Sequence, residues 1–311
     1  MTREGREDLA VPLPIPGPAT LRIDLHSHSR MSDGTDAPAD LVRKALAAGI
    51  DVLGLTDHDT CAGWAEASAA AVGSGLTLVP GVEVSTVLDG VGVHLLGYLF
   101  DPTYEPLAAE LALVRGDRRA RLATITARLT GAGLELAVDE VLAQADSAAT
   151  VGRPHVADAM VARGYVADRN EAFTHWLAEG RPGFARKYAP ETTEAIRLVR
   201  AAGGAVVLAH PWGRASRHVL DEQTVGRLTR AGLHGLEVDH EDHSPDDRAA
   251  LRRLARELGL VVTGSSDHHG EGKVDHPLGI NTTDPAEYEE LLRRAAVSAA
   301  AAGRSTVGPV A

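Results

Sequence analysis

The sequence predicts an α/β fold in which parallel strands alternate with helices around a closed or nearly closed barrel, with one helical insert. Three observations predict it. Seven short apolar runs are spaced along the chain, most of them separated by segments of helical periodicity. Residues with metal-binding chemistry recur at or just after the ends of those runs, at His28, His58, His210 and Asp267. The C-terminal ends of parallel strands form the functional face both of barrels and of open sheets, and spreading ligands over so many strands favours closure.

Residues 1–20 carry Pro12, Pro14, Pro16 and Pro18 and read as an extended or disordered lead-in. The first strand is expected over Leu21–Leu25. A helix over Pro38–Ala48 follows, with Leu41, Val42, Ala45 and Leu46 on its inner face. The second strand, Val52–Leu55, leads into Asp57-His58, and a helix covers Gly63–Val72. Two further strands run over Thr77–Val84, which contains Glu83, and Val91–Leu99, which contains His94. From Asp101 to Arg181 no strand is legible; spacings such as Leu107-Leu111-Val114 and Leu122-Ile125-Leu129 predict a helical insert over 101–181. The alternation resumes with a helix over Thr192–Ala202, ended by Gly203-Gly204. Strands over Ala205–Ala209, Gly235–Val238 and Leu260–Thr263 complete the barrel, which thus spans 21–100 and 182–297. The tail over 298–311 is rich in alanine and poor in apolar anchors.

The 311 residues include 44% hydrophobic but only 4% aromatic ones, so Ala, Leu and Val must fill the core. With 31 basic and 43 acidic residues the formal charge is −12. That argues against long-range attraction to a nucleic acid backbone, although bound cations can reverse the field locally. A single cysteine, Cys61, excludes an internal disulfide and fits a reducing cytoplasm. No apolar run is long enough to span a bilayer, and the N-terminus lacks the apolar core of a secretory signal.

His26 and His28 stand one residue apart at the end of an apolar strand, so both rings point to one side and reach one ion. The full candidate set is His26, His28, Asp33, His58, Glu83, His94, His210, Asp267 and His269. Imidazoles and carboxylates suit borderline divalent ions such as Mn, Fe or Zn. The set exceeds what one tetrahedral ion needs and fits two or three ions sharing a carboxylate. A single such histidine is more often a core residue, but a carboxylate interrupting an apolar strand, as Glu83 does, needs a cation or several donors. Asp57 and Asp59 are expected to orient ligand imidazoles, and His268 to point away from the ions.

These residues lie in the motifs His26-Ser-His28, Ser-Asp33-Gly, Thr-Asp57-His58-Asp59, Gly-Val-Glu83-Val-Ser, His94-Leu-Leu-Gly, Leu-Ala-His210-Pro and Ser-Asp267-His-His269. In this order the motifs resemble the PHP (polymerase and histidinol phosphatase) family of metal-dependent phosphoesterases, over about Leu21 to Asn281. The resemblance implies a distorted (β/α)7, TIM-like barrel that binds up to three divalent ions. It implies a first ion on His26, His28, Glu83 and Asp267, a second on Glu83, His94 and His210, and a third on Asp33, His58 and His269. Gly152-Arg153-Pro154-His155 within the insert, with Ala172-Phe173 and Arg181-Pro182-Gly183-Phe184, resembles the bacterial group that holds nucleoside 3′,5′-bisphosphate phosphatases and 5′-to-3′ oligoribonucleases.

Metal chemistry then predicts attack on phosphorus by a metal-bridging hydroxide held at Glu83, with His240, His243 or a metal-bound water as proton donor. Arg153 is a candidate for a second phosphate, since a guanidinium fork fits phosphate oxygens; a salt bridge at the seam with the insert is the structural alternative. Lys187 either helps or is a loop lysine, and His155 either binds phosphate or caps a helix. The expected substrate is a small nucleotide, a nucleoside 3′,5′-bisphosphate that loses its 3′-phosphate, rather than long nucleic acid or a membrane component. Short RNA trimmed from its 5′ end, an amidohydrolase reaction on a carbon–nitrogen bond, and a metal-free binding module are the alternatives.

Overall fold

The computed structural model describes residues 21–311 apart from 147, 214, 215 and 306. The Pro-rich lead-in therefore lies outside the described residues. Seven strands form one sheet in sequential order: β1 (Ile23–Ser27), β2 (Val52–Leu55), β3 (Thr77–Leu88), β4 (Val91–Tyr98), β5 (Ala205–Leu208), β6 (Gly235–Asp239) and β7 (Val261–Gly264). Around them lie α1 (Pro38–Ala47), α2 (Trp64–Ala71), α3 (Glu105–Gly131), α4 (Val138–Ala145), α5 (Arg153–Ala162), α6 (Arg169–Ala172), α7 (Thr192–Ala201), α8 (Glu222–Ala231), α9 (Pro245–Leu258) and α10 (Pro285–Ala301). The fold is the α/β barrel expected from the sequence.

The sheet curls until its first and last strands meet. Asp24 on β1 accepts the Ser266 and Gly279 amides at 3.0 and 2.8 Å, the Thr283 amide donates to Ile23 O, and the His28 amide donates to His268 O at 2.8 Å. β1 and β2 slip in register between Asp24 and Ser27. Their backbones come so close there that a Cβ on residue 54 would sit 2.2 Å from Leu25 O, which is why Gly54 stands in the middle of β2.

One strand departs from the expected parallel arrangement. β4 is antiparallel to both of its neighbours. Only Asp89 and Gly90 separate it from β3, and both have left-handed φ, 49° and 82°. A two-residue turn of this kind makes a hairpin, whereas a parallel pairing needs a crossover of a dozen residues or more. The hairpin also carries β3 on to Leu88, past the expected end at Val84. The reversal explains the position of His94. It lies opposite Ser85 in the N-terminal half of β4, at the level where the other strands end.

The core falls into layers. Leu41, Leu53 and Leu78 pack α1 and α2 on the first strands, while Ile196, Val225, Leu228, Leu236 and Leu251 pack α7, α8 and α9 on β3 to β6. Between β4 and β5, the helices α3 to α6 and the π-helical turn Phe173–Leu177 gather a separate cluster around Leu122, Ile125, Leu129, Val141 and Met160. The alanine-rich tail is anchored more firmly than its composition suggests. Ser298 and Ala299, in the last turn of α10, are buried, and Gly203 approaches Ala299 so closely that a Cβ would lie 3.1 Å from its Cα. Small side chains here allow backbones to pack, and Val310 exchanges two backbone hydrogen bonds with Leu78 at 2.7 and 2.8 Å. Among the described residues no helix is long and apolar enough to cross a membrane.

Candidate metal centre

All nine side chains named from the sequence converge at the mouth where the strands end. His26 Nε2 and His28 Nε2 face each other across 3.0 Å. Both lie 3.3 Å from Asp267 Oδ1, and they lie 3.3 and 3.1 Å from Glu83 Oε2. An ion with bonds of ~2.1 Å holds neighbouring ligand atoms about 3.0–3.4 Å apart, so this quartet matches one coordination sphere. The second nitrogen of His26, Nδ1, is 2.9 Å from Glu237 Oε1. A hydrogen shared there leaves the Nε2 lone pair directed at the quartet.

The other oxygen of Glu83, Oε1, lies 2.6 Å from His94 Nδ1 and 3.1 Å from His210 Nε2. Glu83 thus faces two groups of donors with its two oxygens. On the far side, Asp33 Oδ1 is 3.4 Å from His269 Nε2 and 3.6 Å from His28 Nδ1, and Asp33 Oδ2 is 3.7 Å from His58 Nε2. Asp33 Oδ1 and His58 Nδ1 are buried without a hydrogen-bond partner. Such atoms are costly unless an ion satisfies them. The donor chemistry and these orphaned atoms both fit bound divalent ions.

His240, Asp267 and His276 also bring ligand-type atoms within 4.8 Å of one another. This group does not suit an ion. His240 Nδ1 accepts the Asp242 amide at 3.0 Å, so the ring hydrogen sits on Nε2, directed at Asp267 Oδ2 3.3 Å away. Lys273 Nζ holds the same oxygen at 2.6 Å. Both contacts fix Asp267 so that Oδ1 faces the histidine pair. His243 is likewise committed: Nδ1 donates to Val238 O at 2.9 Å and Nε2 accepts the Trp212 amide at 3.2 Å. Both imidazoles, the two candidates for proton donor, are thus engaged by protein partners at both nitrogens.

The chain bends sharply to deliver these ligands. Asp59, His210 and Asp267 have φ of 56°, 29° and 53°. Left-handed conformations at non-glycine residues cost about 1–3 kcal/mol each and persist where the surroundings enforce them. Asp57 and Asp59 support the site differently from expectation, since neither hydrogen-bonds a ligand ring. Asp57 accepts from the Ser29 amide and from the hydroxyls of Ser29 and Ser32, and so holds the loop between His28 and Asp33. Asp59 accepts from the Ser85 amide, the Ser85 hydroxyl and Arg118. His268 points outward, as expected, with Nδ1 donating to His276 O.

The charges respond to this crowding. Burial alone would raise the Glu83 carboxyl, but His58, His94 and His26 together with the His210 hydrogen bond hold it well below the usual range. Burial would likewise lower His28, yet hydrogen bonds to Asp267 and Glu83 and the charges of Glu83 and Asp33 lift it to about 9. Without metal, His28 is therefore protonated at pH 7, and an ion must displace that proton to use the ring. Metal affinity is expected to rise with pH up to about 9. Calorimetric titration of the chelator-treated protein in two buffers of different ionisation enthalpy should show proton release at pH 7. Equal heats in both buffers would contradict it.

Beside the donor cluster stands a wall of basic side chains. Lys187 Nζ donates to Ser85 Oγ, as does Arg118 Nη2, while Arg118 Nε lies 2.9 Å from Asp59 Oδ2. Ser85 is two residues beyond Glu83 on β3 and opposite His94. Arg153 is sandwiched between Phe173 and Phe184, 5.5 and 5.4 Å from the ring centres, and donates to Leu177 O at 2.9 Å. Arg121 completes the group, its pKa pushed down to about 9 by burial and by Arg118 and Arg153. Burial and Arg118 likewise push Lys187 far below its ordinary value, against the opposing pull of Asp59. His155 Nδ1 accepts the Gly152 amide at 3.1 Å and so caps α5.

Sequence reasoning missed Arg118 and Arg121. Their signal was present: both stand on the apolar stripe of α3 formed by Leu111, Val114, Leu122 and Ile125, where a charged residue needs a reason. Glu237 on β6 is a further residue of the site. It holds His26 Nδ1 with Oε1 and the His210 amide with Oε2, and those contacts overcome burial to hold its pKa down to about 2.

Known proteins resemble this chain. Residues 24–148 match the PHP domain. The 5′-3′ exoribonuclease of Haemophilus influenzae is 36% identical over 250 residues, which cover 80% of this chain and 90% of that protein. The 3′,5′-nucleoside bisphosphate phosphatase of Chromobacterium violaceum is 35% identical over 257 residues, 83% of this chain and 90% of that protein. A Bifidobacterium adolescentis structure, described provisionally as a metal-dependent phosphoesterase, superposes with a TM-score of 0.85 at 37% identity, covering 89% of this chain and 98% of that one. With relatives of this similarity over most of its length, the chain belongs to the PHP domain family and is a hydrolase of phosphoester bonds.

Proposed function

We propose that the protein removes the 3′-phosphate from nucleoside 3′,5′-bisphosphates, using three divalent ions of the Mn, Fe or Zn type. The observation that carries this reading is the pairing of two phosphate-binding chemistries at one mouth. The donor cluster suits the phosphate being cleaved. The Arg118, Arg121, Arg153 and Lys187 wall suits a second phosphate that stays on the product. The Chromobacterium violaceum relative, named for this activity, supports the same reading.

In this assignment His26, His28, Glu83 and Asp267 hold the first ion, Glu83, His94 and His210 the second, and Asp33, His58 and His269 the third. Ions bound there supply an activated water and offset charge on the phosphoryl group. Glu83 sets the spacing of the first two ions with its two oxygens. Glu237 keeps His26 in the ligating tautomer, and His240 with Lys273 keeps Asp267 turned towards the ions. Lys187 and the arginines orient the substrate through its second phosphate, Arg153 from a platform fixed by two aromatic rings. His155 fixes the first turn of α5 beneath Arg153. We assign residues 21–100 and 182–297 to the catalytic barrel, which supplies Lys187, and 101–181 to an insert that supplies the three arginines of the phosphate wall. The acidic surface and the single cysteine accord with a small nucleotide substrate in the cytoplasm.

A second reading, trimming of short 5′-phosphorylated RNA, is favoured by the exoribonuclease relative, since the same wall would take a 5′-terminal phosphate. Incubating metal-loaded protein with adenosine 3′,5′-bisphosphate should release phosphate and leave adenosine 5′-phosphate. No turnover there, with release of mononucleotides from a 5′-phosphorylated oligoribonucleotide, would replace the first reading by the second.

A further inference from the structure

The loop between β1 and α1 that carries Asp33 is held by the helical insert. The amides of Ala149 and Thr150 both donate to Met31 O, at 3.0 and 3.1 Å. Arg169, the first residue of α6, donates from Nη1 to Asp33 O at 3.0 Å. The remaining arms of the same guanidinium grip Asp158 of α5, Nε to Oδ1 at 2.6 Å and Nη2 to Oδ2 at 2.7 Å. Arg169 also lies against the loop that follows His269: a Cβ on Gly272 would sit 2.1 Å from Arg169 Nη1. That loop is tied to the Asp33 loop in turn, the Thr35 amide donating to His269 O and the Glu271 amide to Thr35 Oγ1.

Arg169 therefore touches the backbone of both ligand loops and no candidate ligand atom. We propose that Arg169, locked by Asp158, is a positioning residue for the third ion, setting the distance between Asp33 and His269. The inference rests on the assignment of Asp33, His58 and His269 to that ion. A bidentate ion pair leaves the guanidinium plane no freedom, so its third arm holds Asp33 O at a fixed height above α5. A lysine, with a single mobile ammonium, cannot hold both partners in this geometry. Because α5 also carries Arg153 at its first turn, the phosphate wall and the third ion are mounted on one helix.

The test counts ions. The full chain and its Arg169→Met, Arg169→Lys, Asp158→Asn and Asp33→Asn variants are stripped with chelator, reloaded with Mn2+ and titrated, with elemental analysis of the loaded forms and thermal melting of the stripped ones. The wild-type protein should bind three ions and Asp33→Asn two. Arg169→Met should keep two ions at wild-type affinity and weaken the third by about 10- to 100-fold, the usual effect of losing a partner that orients a ligand. Arg169→Lys and Asp158→Asn should weaken the same ion by less. A wild-type third ion in Arg169→Met overturns the inference. If Arg169→Met does not fold, a wild-type third ion in both Arg169→Lys and Asp158→Asn overturns it instead. If Asp33→Asn keeps as many ions as the parent, the assignment of that ion fails, and the inference falls with it.

Discussion

Glu83→Gln is expected to leave the barrel folded and to lower phosphate release by about a thousandfold or more, the scale on which removing a central electrostatic group acts. Glutamine keeps the shape, and the residue 83 amide keeps its bond to Thr56 O at 3.0 Å. The carboxamide, however, offers one acceptor oxygen where the carboxylate offers two. Its NH2 would point hydrogens at either the His26–His28 side or the His94–His210 side. Two neighbouring ion positions lose their shared ligand together. The variant should bind at least one ion fewer than the parent and should not regain activity at higher metal concentration. Steady-state kinetics with elemental analysis checks both points; activity within tenfold of wild type would remove Glu83 from the centre of the reaction.

Lys187→Met is expected to separate two kinds of substrate. For a nucleoside bisphosphate, kcat/KM should fall by about 10- to 100-fold, mostly through KM, as when a charged hydrogen bond worth about 1.5–3 kcal/mol is lost. For an aryl monophosphate, which has no second phosphate, the change should stay within about threefold, since no candidate ion ligand is altered. Stability should hold or rise. Burial and Arg118 both disfavour the Lys187 charge, and methionine replaces it with an apolar chain of similar length. Equal losses on both substrates would place Lys187 in support of the ions instead.

The elements that a one-dimensional pattern can carry were legible in the chain. Apolar runs marked the seven strands, and the His26-Ser-His28 spacing marked same-side ligands, because side chains alternate along a strand. The direction of β4 was present too, in Asp89-Gly90, but periodicity is blind to strand direction and the turn went unread. The cation wall was hidden for another reason. Arg118 and Arg121 come from α3, Lys187 from the segment between the insert and α7, and their neighbour Asp59 from the loop after β2. No local spacing links them, and only the closed fold brings them together. The hydrogen bonds of His240 and His243 were equally illegible, since position near the mouth says nothing about which ring nitrogens have partners.

The meeting of β1 with the segment after β7 has a consequence for how the protein is made. His26 and His28 leave the ribosome early, whereas Asp267 and His269 come near the end of the chain, and the His28 amide bonds His268 itself. Until that last segment arrives, the nascent barrel has an open seam and only part of any coordination sphere. Contacts of such long sequence separation form late in folding. Closing the seam and completing the candidate donor set are thus one event: a chain stalled before β7 holds its early histidines without Asp267 and His269 beside them.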